Sequence, residues 1–107
     1  MVELADLPAD RQARGTQNLY LKYNLMYFVY AITSLNRNYI YIGLTNDHQR
    51  RINQHQMGKE KTTAPYRPFA VIFTEQYETR IEARQREKYL KSGIGKEWIK
   101  RAYKKKL

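Results

Sequence analysis

The stretch Tyr39–Gln56, YIYIGLTNDHQRRINQHQ, decides how this chain folds. Its first half alternates. Ile40, Ile42 and Leu44 fall on one side of an extended chain, and Tyr39, Tyr41 and Gly43 fall on the other, the period of two that a half-buried strand requires. Asn46 or Asp47 then offers a side-chain oxygen to cap a helix over His48–Gln56, which Gly58 ends. A strand passing directly into a polar helix is the unit around which the rest is arranged.

Upstream, LMYFVYAIT from Leu25 is aromatic and β-branched and reads as a first strand, joined through the polar turn SLNRN to make an antiparallel hairpin. Downstream, KEKTTAPYRP is a basic loop. PFAVIFTEQY follows as a third strand, with Phe69, Val71 and Phe73 expected on one side and Ala70 and Ile72 on the other; Pro68 is tolerated at its start. Thr79–Glu82, TRIE, has capping-box spacing and opens a helix to about Lys91. Gly93 and Gly95 are expected to break that helix, and a last short one around KEWIKRAYK docks Trp98 on the core. Residues 1–24, polar and interrupted by Pro8 and Gly15, read as a peripheral arm, leaving 25–107 as the domain. The order β-β-α-β-α-α predicts an α+β fold, a three-stranded antiparallel sheet flanked by helices.

Composition narrows the class. With 107 residues, 42% of them hydrophobic, the chain can fill one core and not two. There are no cysteines, which excludes disulfides and thiolate metal sites and is compatible with a reducing compartment. The longest apolar run, Leu25–Ile32, falls well short of the roughly 20 residues of a membrane span. MVELADLPAD carries neither a basic leader nor a hydrophobic stretch, so a soluble cytoplasmic protein is the expectation. Twenty Lys and Arg against ten Asp and Glu leave a formal charge of +10, which favours polyanions, nucleic acid before small metabolites. The ten tyrosines suit base stacking and strand packing equally.

Glu87, Arg51, His55 and the strand tyrosines Tyr30 and Tyr41 admit a reading beyond core packing, although tyrosines on strands ordinarily serve packing. On the second helix, at about 100° per residue, Ala83, Leu90 and Ile94 share one stripe, and Glu87 falls on it between them while Lys88 and Lys91 point elsewhere. An inward carboxylate costs several kcal/mol unless it is paired, hydrogen-bonded or metal-bound. An ion pair with Arg84 or Arg86, a wet stripe edge and a metal site all satisfy that demand. On the first helix Ile52 is the only aliphatic residue, and beside it Arg51 and His55 project as neighbours. Together they can hold an anionic oxygen; a solvated helix face would carry them too. Tyr41 stands two residues before Gly43, whose bare backbone lets another group approach closely, and Tyr30 ends the matching part of the first strand.

As a set, FVY at Phe28–Tyr30, YIG at Tyr41–Gly43, TNDHQRRINQH at Thr45–His55 and EARQREKYLK at Glu82–Lys91 resemble the GIY-YIG nuclease superfamily. The likeness is to its small stand-alone branch, similar to the catalytic domain of the excision-repair nuclease, and covers about residues 26–100. It implies a central three-stranded antiparallel sheet and assigns Tyr30 and Tyr41 to the motif tyrosines and Arg51 to the family arginine. Glu87, not Glu82, stands at the metal-binding glutamate, and His55 at a position that is histidine or tyrosine. Two departures stand out. The first motif is Phe-Val-Tyr rather than Gly-Ile-Tyr, and Leu44 replaces a lysine found near the site in some repair members, with Lys59 and Lys61 the candidates to supply that charge.

The resemblance implies an endonuclease that hydrolyses phosphodiester bonds, with DNA the expected substrate, little sequence selectivity, and a setting in repair or recombination. Glu87 would hold one Mg²⁺ or Mn²⁺, Arg51 would meet the charge on phosphorus, and Tyr41 would position or deprotonate water. His55 and Tyr30 would orient the phosphate. Arg50, Lys59, Lys61, Arg67, Lys100, Arg101 and Lys104 would grip the backbone without reading sequence. The alternative is a non-catalytic basic module that keeps the nuclease fold and binds nucleic acid.

Overall fold

A computed structural model of the chain describes residues 26–104; the expected arm over 1–24 lies outside them. The elements follow the predicted order. Strand β1 is Tyr27–Ser34, β2 is Ile40–Thr45 and helix α1 is His48–Gln56. A short 3-10 turn at Ala64–Tyr66 precedes β3, Phe69–Tyr77, and helices α2, Arg80–Lys91, and α3, Gly93–Ala102, complete the fold. No helix among the described residues is long and apolar enough to cross a membrane.

The sheet is antiparallel with order β2-β1-β3. As the central strand, β1 is covered on both faces, and Phe28 through Ser34 are all buried. One face carries Val29, Ala31 and Ile42, packed with Ile72 against Ala83 and Leu90 of α2 and Ile99 of α3. The other carries Tyr30, Ile32 and Phe69, with Tyr39, Tyr41 and Ile52 of α1 closing over them. The alternation read in β2 therefore holds: its aliphatics meet the two C-terminal helices and its tyrosines turn towards α1.

In β3 the alternation fails. The register slips between Ala31 and Ile32, so that Ala31 pairs with Phe73 but Ile32 with Val71, and Ile72 is the extra residue. This bulge puts Ile72 and Phe73 both on the α2 side, whereas Phe69 faces α1. Phe73 thus parts company with Phe69, contrary to the period-two expectation, and Val71 is left 42% exposed.

The helix ends follow local chemistry. Asp47 caps α1, its Oδ1 accepting the Arg50 N–H at 3.1 Å. At the other end Gly58, at φ 74°, sends its N–H to the His55 carbonyl at 3.1 Å while Lys59 N–H reaches the Gln54 carbonyl at 3.0 Å. That is a Schellman ending, which needs a residue in left-handed conformation at Gly58. Thr79 caps α2 by accepting the Glu82 N–H at 3.2 Å, and donates its own hydroxyl to the Glu82 carboxylate at 2.9 Å.

The glycine pair after α2 corrects the expected break. Ser92 both ends α2 and caps α3, accepting the Gly95 N–H at 3.1 Å, so α3 begins at Gly93. Gly95 is a buried helical residue whose missing side chain admits the Tyr89 carbonyl and the Leu90 Cα. Because the helix phase restarts at Ser92, Ile94 leaves the predicted core stripe and is 71% exposed. Trp98 packs against the core as anticipated.

Candidate active site

The face of the sheet turned to α1 holds four of the five expected catalytic groups together. Tyr30 pairs with Gly43 across the hairpin, and its ring lies over that glycine so closely that a Cβ there would collide with Tyr30 Cζ and Oη. The glycine of YIG is thus required by the tyrosine of the neighbouring strand. From this position Tyr30 Oη reaches His55 Nε2 at 2.8 Å. Both residues are almost wholly inaccessible, 1% and 0% exposed. Tyr41, half-buried, sets its ring 4.8 Å from His55 and 6.1 Å from Tyr30. Arg51, one turn before His55, projects at the rim with its side chain 29% exposed.

Burial governs the ionisation of this group. It pushes the Tyr30 phenol far above its usual value of about 10, Tyr41 adding to the rise and Arg51 opposing it. It pushes His55 below the ordinary imidazole value, and the Arg51 charge acts in the same direction. At neutral pH Tyr30 is a phenol and His55 an uncharged ring. Arg51 is cationic, and its hydrogen bond to Glu60 is the main influence pushing its pKa further up.

Gln54, Glu60 and Thr63, which the sequence does not single out, complete the cluster. Arg51 Nη2 donates to Glu60 Oε2 at 2.8 Å and Nη1 to Gln54 Oε1 at 3.0 Å. His55 Nδ1 meets Thr63 Oγ1 at 2.7 Å, and Thr63 is fully buried. The expected basic loop therefore turns back after Gly58 and contributes Glu60 and Thr63 to α1. A lone acid within GKEKTTAPYR was the one signal available for Glu60; Thr63 had none.

Glu87 is placed differently. It sits on the inward stripe of α2 between Ala83 and Leu90, as expected, with its side chain 13% exposed, but α2 packs on the other face of the sheet. Its oxygens pair with Lys91 Nζ at 3.1 Å and Arg84 Nε at 3.7 Å. Lys91 was expected to point elsewhere; its long chain folds back one turn to the carboxylate. Arg86, the other cation considered, instead grips Glu75 at 2.9 and 3.1 Å. Glu87 makes no hydrogen bond or ion pair with Tyr30, Tyr41, Arg51 or His55.

For a divalent ion this donor set is sparse. Among the described residues no group of three or more His, Cys, Asp or Glu comes together. A single hard carboxylate suits an ion that keeps most of its water and completes its shell with substrate phosphate. Glu87 offers one carboxylate, already closed by Lys91 and Arg84 and on the face of the sheet away from Tyr30 and Tyr41, so the described residues present no assembled site for a divalent ion.

The cations expected along the backbone are dispersed. Lys59, Lys61 and Arg67 are exposed on the segment that carries Glu60 and Thr63, Arg67 Nε donating to the Ala64 carbonyl at 3.0 Å. Arg50 pairs with Asp47 at 3.6 Å. Lys100 lies beside the β1–β2 turn, where it shares a cleft with Arg37, a cation not selected from sequence. Arg101 and Lys104 are exposed at the end of the described chain.

Residues 26–101 match the family model described as the GIY-YIG catalytic domain. The chain belongs to the GIY-YIG family. Its nuclease superfamily is thereby that inferred from the FVY, YIG and Arg51–His55 segments. Among curated relatives, the UPF0213 protein YazA of Bacillus subtilis is 38% identical over 66 residues, 61% of this chain and 66% of the relative. A UPF0213 protein of Vibrio campbellii is 39% identical over 64 residues, 59% of this chain and 61% of the relative. The chain spans about three fifths of the length of the curated relatives it matches. No solved structure matches.

Proposed function

We propose that this GIY-YIG domain is a metal-dependent endonuclease that hydrolyses phosphodiester bonds, in DNA, with little sequence selectivity. The observation that carries the reading is the convergence of a cationic rim residue, Arg51, with a half-buried phenol, Tyr41, over the buried Tyr30–His55 pair. Phosphodiester hydrolysis needs positive charge for the non-bridging oxygens and a group that orients the attacking water. Arg51 has planar donors suited to a phosphate, and takes one by exchanging its bond to Glu60. Tyr41 is the accessible phenol and orients the water. A phenol is a weak base near neutrality, so the neighbouring cationic charge is part of its role. Tyr30, too deeply buried to ionise, keeps its proton and holds His55. Any divalent ion would rest on Glu87 after release of Lys91, on the other face of the sheet from Tyr41, and would supply positive charge when bound. Exposed lysines and arginines hold the backbone by charge, which carries no sequence information.

The second reading, a nucleic-acid-binding module without catalysis, is favoured by the two closed ion pairs, Glu87 with Lys91 and Arg51 with Glu60. Incubation with branched, nicked and single-stranded DNA in Mn²⁺ separates the two, using wild type, Arg51→Ala and Glu87→Ala. Cleavage by wild type alone is expected. Binding by all three proteins with no cleavage by any would establish the module, and full-rate cleavage by Glu87→Ala would remove Glu87 from the mechanism.

A further inference from the structure

Tyr30, His55 and Thr63 form a continuous buried chain, with Tyr30 Oη to His55 Nε2 at 2.8 Å and His55 Nδ1 to Thr63 Oγ1 at 2.7 Å. Exposure falls from 1% at Tyr30 to 0% at the other two, so solvent does not share in these bonds. A hydroxyl donates or accepts, and a neutral imidazole has one nitrogen of each kind, so the chain can run in two directions. Its Tyr30 end decides between them.

At the Tyr30 end the only hydrogen-bond acceptor within reach of the phenolic proton, among the described residues, is His55 Nε2. The other neighbour of that oxygen is Arg51, which has donors only. If Nε2 carried a proton, the Tyr30 O–H would be buried against a second donor with nothing to receive it, at a cost of about 1–3 kcal/mol. At the Thr63 end the remaining partner is the Glu60 carbonyl, 3.5 Å from the hydroxyl and able only to accept. Thr63 therefore gives its proton to Glu60 and receives one from His55 Nδ1. The Tyr30 end sets the direction, and the Thr63 end accommodates it. A doubly protonated ring would break it at Tyr30, in keeping with the lowered His55 pKa.

We infer that Thr63 is a positioning residue that fixes His55 as the Nδ1–H tautomer, so that Nε2 takes the Tyr30 proton and the phenolic oxygen presents its lone pairs to Arg51. Thr63 touches no substrate. Its effect passes through His55 and Tyr30 to the guanidinium that would meet the phosphate. The inference about the tautomer stands on the hydrogen bonds alone; the effect on cleavage rests on the nuclease reading above.

The test uses the full chain labelled with ¹⁵N and long-range proton–nitrogen correlation of the imidazole rings. The chain has two histidines, and His48→Gln assigns the signals. Wild type and Thr63→Ser, which keeps the hydroxyl, are expected to show a pyrrole-like Nδ1 and a pyridine-like Nε2. Thr63→Val, which keeps the shape and loses the acceptor, leaves a buried Nδ1–H unpaired and is expected to shift the pattern, with the Nε2–H form appearing beside it. A pyridine-like Nδ1 or a doubly protonated ring in wild type at neutral pH overturns the inference, as does an unchanged pattern in Thr63→Val. Should the valine variant fail to fold, wild type and Thr63→Ser still decide the tautomer. In the cleavage assay Thr63→Val is expected to lose on the order of tenfold in rate, the scale on which outer partners of an oriented histidine act, with Thr63→Ser restoring it. Valine and wild-type rates that coincide would overturn the positioning role. Wild type that shows the stated tautomer but never cuts would refute the nuclease reading while upholding the tautomer assignment.

Discussion

Substituting Gly43 by alanine tests the packing of the site most directly. Gly43 does not lie at positive φ, so alanine meets no backbone objection there. The cost comes from one object, the Tyr30 ring, whose Cζ and Oη would collide with the new Cβ and whose Cε1 would lie 2.6 Å from it. The ring is 1% exposed and confined by His55 and Tyr41, so it cannot swing into solvent. Overpacking of this kind costs about 1–3 kcal/mol, and pulling Oη away from His55 Nε2 adds about 1 kcal/mol for the lost bond. The sum, about 3 kcal/mol, is a large part of the ~5–15 kcal/mol that holds a small domain folded. For a domain of this size it should lower the melting temperature by roughly 10–20 °C. Gly93→Ala is the control, because a Cβ there meets nothing within 4 Å, and it should be neutral or slightly stabilising. Calorimetry on both variants, and on Gly43→Ala in a Tyr30→Phe background, gives the decisive comparison. Removing Oη should recover part of the loss, a coupling of more than about 0.5 kcal/mol. Gly43→Ala melting at the same temperature as Gly93→Ala would refute the argument.

Other perturbations probe independent parts of the molecule. Unfolded His55 takes a proton near pH 6.5 while the buried ring resists it. Stability from this residue is therefore complete above about pH 6.5 and declines as pH falls below that value towards the folded pKa, a slope that His55→Asn should flatten in urea titrations. Tyr30 behaves oppositely: its folded pKa is raised, so stability declines as pH rises above about 10. Tyr30→Phe should remove part of that limb, leaving what the raised Tyr39 and Tyr77 contribute. Gly95→Ala should cost about 3 kcal/mol by denaturant unfolding, since its Cβ would strike the Tyr89 carbonyl and lie 2.6 Å from Leu90 Cα, backbone that cannot rotate aside. Glu60→Gln should change stability by less than about 1 kcal/mol, the pair being partly exposed. By releasing Arg51 it should tighten DNA binding about fivefold, equivalent to roughly 1 kcal/mol in fluorescence anisotropy. An unchanged Kd would show that Glu60 does not compete with the phosphate.

What could be read from the sequence was what neighbours along the chain determine. The alternation Ile40-Ile42-Leu44 gave the two faces of β2, Asp47 and Thr79 gave the helix starts, and the spacing of Arg51 and His55 put both towards the sheet. Ala83 and Leu90 are fully buried on the stripe that also carries Glu87. The misreadings share a different cause. The extra residue at Ile72 leaves no trace in a pattern that counts by two, and no glycine or proline marks it. Gly93 and Gly95 resemble a helix stop, yet Gly95 is small because another helix turn presses on it. Ile94 continues the α2 stripe in sequence, but the capped junction at Ser92 resets the phase. Glu60 and Thr63 reach α1 only because the chain reverses at Gly58, a consequence of three-dimensional closure that no local spacing encodes. Lys91 lies one turn beyond Glu87 with its Cα off the stripe, and only the reach of its long side chain brings Nζ to the carboxylate.

Beside His55, Gln56 makes an unusual link. Its carboxamide nitrogen donates to the Phe69 carbonyl at 2.7 Å and its oxygen accepts the Phe69 N–H at 2.9 Å. A single side chain thus imitates a missing strand at the free border of β3, and α1 is buttoned to the sheet at the position following the buried imidazole. The Phe69 amide becomes a natural gauge. Its hydrogen exchange reports whether α1 is seated, and Gln56→Ala should speed it selectively while amides in the middle of β1 keep their protection.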